Sequence, residues 1–322
     1  MKKVMIIDSL NLFIRNYIRS PIVSTNGQPM GGVIGYLRSL QKLTRETKPD
    51  EIIIVWDGPG GSRKKKSIIS DYKGGRKPIK LNRNAQMLTE DEEIKNKIWQ
   101  QVRLIEYLNN FPIIQIMEPE IEADDLIAFV AQHHKYADWN KIIVSQDKDF
   151  IQLCNDSTIL IRPTQDEILT WKTVVRDYGI HPNNFALARA MAGDKSDNIA
   201  GISGVGLKSV EKYLSFLSES KSYFFEDLES YCLQMISEGK KAKIYRSVVD
   251  NLEMIRNNYR AMQLYSPNIS VQIAQKTRNT IKDFKFNLNI TDTKTMLLKD
   301  GAAENNFDDM YVIFKKMVVD NK

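Results

Sequence analysis

A chain of 322 residues with 42% hydrophobic and 27% charged side chains is long enough for one large α/β domain and a smaller companion, and this balance excludes a disordered or fibrous protein. The apolar run after Lys2 and Lys3 stops at Asp8, too short for a signal peptide, and no later stretch suits a bilayer, so a cytoplasmic, non-membrane protein is expected. The formal charge of +6 is uneven: residues 63–83 hold nine Lys/Arg and one acid, Asp71, and taking these from totals of 46 and 40 leaves 37 basic against 39 acidic residues elsewhere.

In chain order, residues 4–7 are the first of four short runs rich in Ile and Val that read as buried strands. The others are 52–56, 113–117 and 142–145. Between them apolar residues recur at helical spacing: Val33, Tyr36, Leu37, Leu40 and Leu43; Ile98, Val102, Ile105 and Leu108; Leu126, Ile127 and Val130. Strands alternating with helices predict an α/β fold with a mainly parallel central sheet and helices on both faces, its ligand crevice at the carboxyl ends of the strands. After Trp171 the strands stop while helical spacing continues, which predicts an α/β domain over 1–180 and a mainly helical one over 181–322. Cys154 and Cys232 lie far apart and outside any ligand-like cluster, so both are expected as reduced thiols.

The residues after each strand are acidic. Asp8 closes the first, Asp57 the second, and Asp147 and Asp149 come after the fourth; Glu122, Asp124 and Asp125 stand at a helix start soon after the third. Any one of these is an ordinary turn or helix-start residue. Collected on one sheet edge they would repel unless cations neutralised them, and oxygen-only ligands point to Mg²⁺ or Mn²⁺ rather than zinc. Two such ions roughly 3.5–4 Å apart stabilise both oxygens of a phosphodiester displacement. No serine or cysteine sits in a nucleophile elbow, which argues against a catalytic triad.

The basic stretch suits a phosphate backbone. Within it, Lys73 and Arg76 are three apart, placed to hold a scissile phosphate if they share a helical turn. Further on, Gly201, Gly204 and Gly206 permit a tight hairpin between two helices. Its amides, with Lys208 and Ser209 opening the second helix, suit a duplex backbone read without regard to sequence.

The motifs Ile6-Ile7-Asp8, Gly27-Gln28-Pro29 through Gly35-Tyr36-Leu37, Val55-Trp56-Asp57, Tyr72-Lys73-Gly74-Gly75-Arg76, Glu122-Ala123-Asp124-Asp125, Ser145-Gln146-Asp147-Lys148-Asp149 and Gly193-Asp194 stand in one order. In that order they resemble the flap endonuclease and 5′–3′ exonuclease family. That family includes bacteriophage 5′ nucleases, one of them called ribonuclease H, and the 5′ nuclease part of bacterial DNA polymerase I. The likeness covers about residues 1–215. It implies a PIN-like nuclease core, a helical arch over about 62–95 and a helix–three-turn–helix element over about 185–218. It also implies metal-dependent cleavage at 5′ ends or flaps of duplex DNA and RNA–DNA hybrids, in primer removal, replication and repair.

By the same resemblance Asp8, Asp57, Glu122 and Asp124 would serve one Mg²⁺ or Mn²⁺, with Asp124 near both ions. Asp147, Asp149 and Asp194 would serve the other, and Asp125 and Asp197 would assist through water. Tyr72, Lys73, Arg76 and Lys77 would meet the single strand at the base of the arch. Gly201, Gly204, Gly206, Lys208 and Ser209 would hold the duplex, with a K⁺ ion on the hairpin carbonyls. A monomer is implied, with a sliding clamp and a single-strand-binding protein as candidate partners. One departure is Ile14, where the family often has an aromatic that stacks on a terminal base; Phe13 stands beside it. The alternatives are a nuclease of the same sheet class acting on single-stranded RNA, and a non-catalytic structure-specific DNA-binding protein. The basic stretch and hairpin argue against the first, the intact acids against the second.

Overall fold

The computed structural model describes residues 1–74, 80 and 88–321. Six strands form one sheet: β1 (Lys3–Asp8), β2 (Glu51–Trp56), β3 (Ile113–Met117), β4 (Asn140–Val144), β5 (Thr158–Arg162) and β6 (Glu167–Leu169), in the order β3-β2-β1-β4-β5-β6. All neighbours pair in parallel except β6, which is antiparallel to β5. The chain builds outward from β1 through β2 to β3, then crosses to the other side of β1 with β4. The switch point therefore lies between the carboxyl ends of β1 and β4.

The helices are α1 (Ser9–Arg19), α2 (Gly31–Thr47), α3 (Arg63–Ile68), α4 (Glu90–Leu108), α5 (Ala123–Ala131), α6 (Trp171–Tyr178) and α7 (Pro182–Ala192). After them come α8 (Leu207–Tyr213), α9 (Phe225–Ser237), α10 (Lys243–Asp250), α11 (Leu252–Met262), α12 (Val271–Asp283), α13 (Ile290–Lys299) and α14 (Asp308–Asp320). Among the described residues no helix is long and apolar enough to cross a membrane.

Because strand side chains alternate, each strand feeds two cores. Val4, Ile6, Ile53, Val55 and Ile143 face one, which continues through Leu126 and Val130 of α5 into Phe185, Met191, Val210, Val248 and Ile255 of the later helices. Met5, Ile7, Ile52, Ile54 and Ile142 face the other, with Leu37 and Leu40 of α2 and Leu104 of α4. Near-continuous apolar strands are what two covered faces require. Ile6→Ala, at a fully buried position, is expected to cost about 2–5 kcal/mol, read as a lower urea midpoint; an unchanged midpoint would contradict this packing.

Three features differ from expectation. β5 and β6 extend the sheet beyond the four strands expected. The helical half also returns to the sheet: Phe307, Met310, Phe314 and Met317 of the last segment pack in the second core. Arg103 and Tyr107 of α4 fasten that return by donating to the Asp300 carboxylate at 2.7, 2.9 and 2.7 Å. Finally, α4 turns Ile98 and Val102, each 52% exposed, outward. Its buried face instead carries Asn96 and Gln100, whose amides donate to the Pro29 carbonyl at 3.1 and 2.8 Å.

Candidate active site

The carboxylates gather because the sheet delivers them. β1 ends in Asp8, which caps α1 by accepting the Asn11 N–H at 3.2 Å and takes the Ser145 hydroxyl at 2.7 Å across the β1–β4 switch point. Asp57, one residue past β2, accepts the Ala123 N–H at 3.0 Å in the first turn of α5. Glu122 is the N-cap of α5 and is 3% exposed, with Asp124 in the same turn. Asp147 caps a short 3₁₀ turn and accepts the Asp149 N–H at 2.8 Å.

Cations from outside the sheet meet these acids. Lys65 reaches Glu122 at 2.7 Å and Asp124 at 3.6 Å, and Lys73 reaches Glu122 at 2.5 Å. On the other side Arg189 of α7 bridges Asp149, at 2.9 Å, and Asp194. Asp194 also accepts the N–H and hydroxyl of Ser196 at 2.7 and 2.6 Å. The acids thus fall into a group around Lys65 and Lys73 and a group around Arg189. Asp124 links the groups, since Lys65 attracts it while Asp147 and Glu122 repel it.

Electrostatics records the crowding. Burial first, then repulsion by Asp57, pushes Asp8 up to about 7 despite the bonds from Ser145 and Asn11. Burial and Asp149 push Asp147 up to about 7, and burial raises Asp124 well above the usual range. Glu122 goes the other way: burial opposes its ionisation, but Lys65 and Lys73 outweigh that and hold it low. Asp194 is likewise held low, because Ser196 and Arg189 overcome its burial.

Among the described residues no three carboxylates form a ready-made cage. The lysines and Arg189 hold the oxygens that a metal would share. The donors are all hard carboxylate oxygens, and Asp8, Asp124 and Asp147 carry charge that burial makes costly. Both properties fit a hard divalent cation.

The base of the basic stretch is fixed to the hairpin. Lys73 N–H donates to the Asp197 carbonyl at 2.8 Å, Asn198 donates to the Asp71 carbonyl at 3.1 Å, and Tyr72 packs with Ile199 and Met262. Tyr72 corrects an expectation: it is 1% exposed and its hydroxyl donates to Glu122 at 3.0 Å, so it props that carboxylate from behind and offers no face to a strand. Asp125 accepts the Asn268 N–H on Oδ1 at 2.9 Å, and its charge attracts Lys65. Asp197 lies at the cleft of about 390 Å³ that Asp147 and Asp194 line. Arg76 and Lys77 lie outside the described residues, as do the other positions of 75–79 and 81–87 in the arch expected over 62–95.

The hairpin runs from α7 to α8. Gly193 and Gly204 take left-handed backbone, at φ 73° and 76°, and Gly206 caps α8. Gly204 and Gly206 have open space where a side chain would stand, so a backbone phosphate could approach their amides. Gly201 does not: a Cβ there would meet the Ala192 carbonyl at 2.3 Å, so this glycine serves close packing. Lys208 is exposed and Ser209 half-buried at the start of α8. Sequence reasoning misses Lys65 and Arg189 as site residues. The first is one of four consecutive basic residues; the second is a lone arginine in an Ala-rich helix, the one signal available.

Residues 3–179 match the family model described as 5′-3′ exonuclease, N-terminal resolvase-like domain. A 5′-3′ exonuclease of Aquifex aeolicus is 31% identical over 210 residues, which are 65% of this chain and 68% of that one. DNA polymerase I of Caldicellulosiruptor bescii is 27% identical over 74% of this chain, which spans about a quarter of that enzyme (27%). A bacteriophage T5 5′-exonuclease with bound zinc shares the fold at TM-score 0.65 and 18% identity, covering 87% of this chain and 99% of that one. A bacteriophage T5 flap endonuclease in a pseudo-enzyme–product complex with DNA and metal ions does so at TM-score 0.63 and 16% identity, covering 98% and 100%.

Proposed function

Because the chain belongs to the 5′-3′ exonuclease family, we propose that it is a metal-dependent 5′ nuclease that hydrolyses phosphodiester bonds at 5′ ends and flaps of duplex DNA, and removes RNA paired to DNA. The observation that carries this reading is the gathering of Asp8, Asp57, Glu122, Asp124, Asp147, Asp149 and Asp194 at one end of the sheet, with Lys65 and Lys73 on Glu122 and Arg189 on Asp149 and Asp194. Asp8, Asp57, Glu122 and Asp124 would hold one Mg²⁺, and Asp147, Asp149 and Asp194 a second, with Mn²⁺ as a substitute. When bound, these ions neutralise the carboxylates and favour the charge that develops in phosphodiester hydrolysis.

The side chains supply the rest. Lys73 Nζ, held between Glu122 and the Tyr72 ring at 5.1 Å, is placed to move from the carboxylate to an incoming phosphate oxygen and balance its charge. Lys65, with Lys73, keeps Glu122 ionised and offsets part of the burial that opposes charge on Asp124. Arg189 fixes Asp149 and Asp194 so that their oxygens converge without rotating away. The open amides at Gly204 and Gly206, with Lys208, grip the duplex backbone, and the carbonyls of that turn offer a place for K⁺. Arg76 and Lys77 would continue the basic path for the single strand. Lys73→Ala is expected to slow single-turnover cleavage about 10²-fold while changing affinity little; a loss confined to affinity would make Lys73 a docking residue.

Product mapping on 5′- and 3′-labelled flap, nicked and RNA–DNA duplexes tests the reading. Cuts in the strand bearing the 5′ end, only with Mg²⁺, are expected. Metal-independent cutting, or cutting confined to single-stranded RNA, would overturn it.

A further inference from the structure

A second basic group stands on the Arg189 side of the carboxylates, apart from the cations that pair with them. Lys148 and Arg162 line the cleft of about 390 Å³ beside Asp147 and Asp194. Gln146 ties this side together. Its side-chain oxygen, in the orientation that satisfies its neighbours, accepts from Arg15 Nη1 at 2.7 Å, and its backbone carbonyl accepts from Arg162 Nε at 3.4 Å. Two guanidinium groups from α1 and β5 therefore meet at one residue of the loop that carries Asp147.

Their charge is not balanced. Arg162 is 8% exposed and pairs with Glu167 at 2.7 Å. Neither Arg15 nor Lys148 is within ion-pair distance of a carboxylate among the described residues; the Lys148 ammonium rests 5.6 Å over the Tyr178 ring. Outside the acids of the proposed metal centre these three cations face one carboxylate, that of Glu167, although Asp194 also attracts Lys148. Burial, then repulsion by Arg19 and Arg162, pushes Arg15 down to about 10, which is the mark of a guanidinium lacking an anion. A phosphate relieves that repulsion, and a forked guanidinium matches its oxygens. The single strand cannot use the Arg189 guanidinium in this way, because Asp149 and Asp194 already hold it.

We propose that Arg15, Lys148 and Arg162 form a second phosphate-binding position beside the carboxylates, which grips a phosphate of the cleaved strand next to the one being cut. The proposal rests on the nuclease reading above. The phosphate is either an internal phosphodiester or the 5′-terminal monoester of a nicked strand, and both share the same oxygens.

The experiment measures binding of a labelled 5′-flap duplex in EDTA by fluorescence anisotropy at several salt concentrations. Arg15→Gln and Arg162→Gln are each expected to weaken binding about tenfold, the loss of one charge-assisted contact, and to reduce the salt slope by about one. Glu167→Gln releases Arg162 from its carboxylate partner and is expected to tighten binding, which keeps the proposal open to test if Arg162→Gln fails to fold. A neutral methylphosphonate beside the cut site should abolish the difference between wild type and variants if the phosphate is internal; a 5′-hydroxyl end on nicked DNA should abolish it if the phosphate is terminal. Either result supports the site. Variants that bind as wild type does, with the same salt slope, would overturn it, as would equal losses on every phosphate-modified substrate. Cleavage by wild type in Mg²⁺, run alongside, separates the two failures. An uncut flap sinks the nuclease reading, whereas cutting with unaffected variants sinks only the second phosphate position.

Discussion

Asp124→Asn is expected to abolish cleavage of a 5′-flap duplex in Mg²⁺, by at least about 10³-fold, since a lost metal ligand removes several kcal/mol of charge stabilisation. Binding in EDTA should stay within a few-fold of wild type. The substitution keeps the shape of the side chain and the first turn of α5, and removes only the charge that couples Lys65 on one side to Asp147 on the other. Single-turnover rates with anisotropy binding curves make the comparison. Equal cutting by wild type and variant would remove Asp124 from the proposed centre.

The second large effect concerns stability without metal. Burial, then Asp57, pushes Asp8 up to about 7 in the fold, against an ordinary value near 3.8. A carboxyl whose folded pKa is raised costs nothing while it is protonated in both states, below about pH 4. The cost grows as pH rises between the two values and is complete above about 7. Three pH units correspond to about 4 kcal/mol, an upper bound after structural relaxation. Asp8→Asn should therefore unfold at a higher temperature than wild type at pH 8 in EDTA, by several degrees, and show no such gain at pH 4. The amide oxygen can take the Asn11 N–H as Oδ1 does, and the amide nitrogen in place of Oδ2 can donate to the Ser145 hydroxyl, which turns to accept. Mg²⁺ should raise the wild-type midpoint at pH 8 and do far less for the variant. A variant that is less stable at pH 8 in EDTA would show that Asp8 is well compensated in the fold.

The parts of this centre legible in the sequence are those set by the strand period and by the acid at or just past each strand end. Ile6-Ile7-Asp8 announces both a buried strand and its closing carboxylate, and the same logic finds Asp57, Asp147 and Asp149. β5 was not legible, because Thr158-Ile159-Leu160-Ile161-Arg162 lies at the thinly covered side of the sheet, where polar residues share the strand, and β6 has only three residues. The outward turn of Ile98 and Val102 was hidden because their helical spacing imitates a core face. Buried amides at Asn96 and Gln100, bonded to Pro29, won the inner position. Tyr72 beside Lys73 suggested a side chain that meets the single strand. Only tertiary packing against Ile199 and Met262 shows that its hydroxyl is spent on Glu122. Lys65 and Arg189 escaped for a related reason: a cation's partner lies far along the chain, and no local pattern names it.

That distance along the chain is also what the site exploits. Lysines from the basic stretch and an arginine from α7 keep the acids ionised or oriented. The same contacts fasten the arch base and the hairpin, the two elements proposed to grip the substrate, to the carboxylate pocket.

Counting Mn²⁺ bound to the protein at pH 8 by electron paramagnetic resonance tests the centre most directly. Two ions per chain in wild type are expected, with weakened binding in Asp124→Asn and Asp147→Asn. A chain that binds no Mn²⁺, or binds it equally well without either acid, would contradict the account.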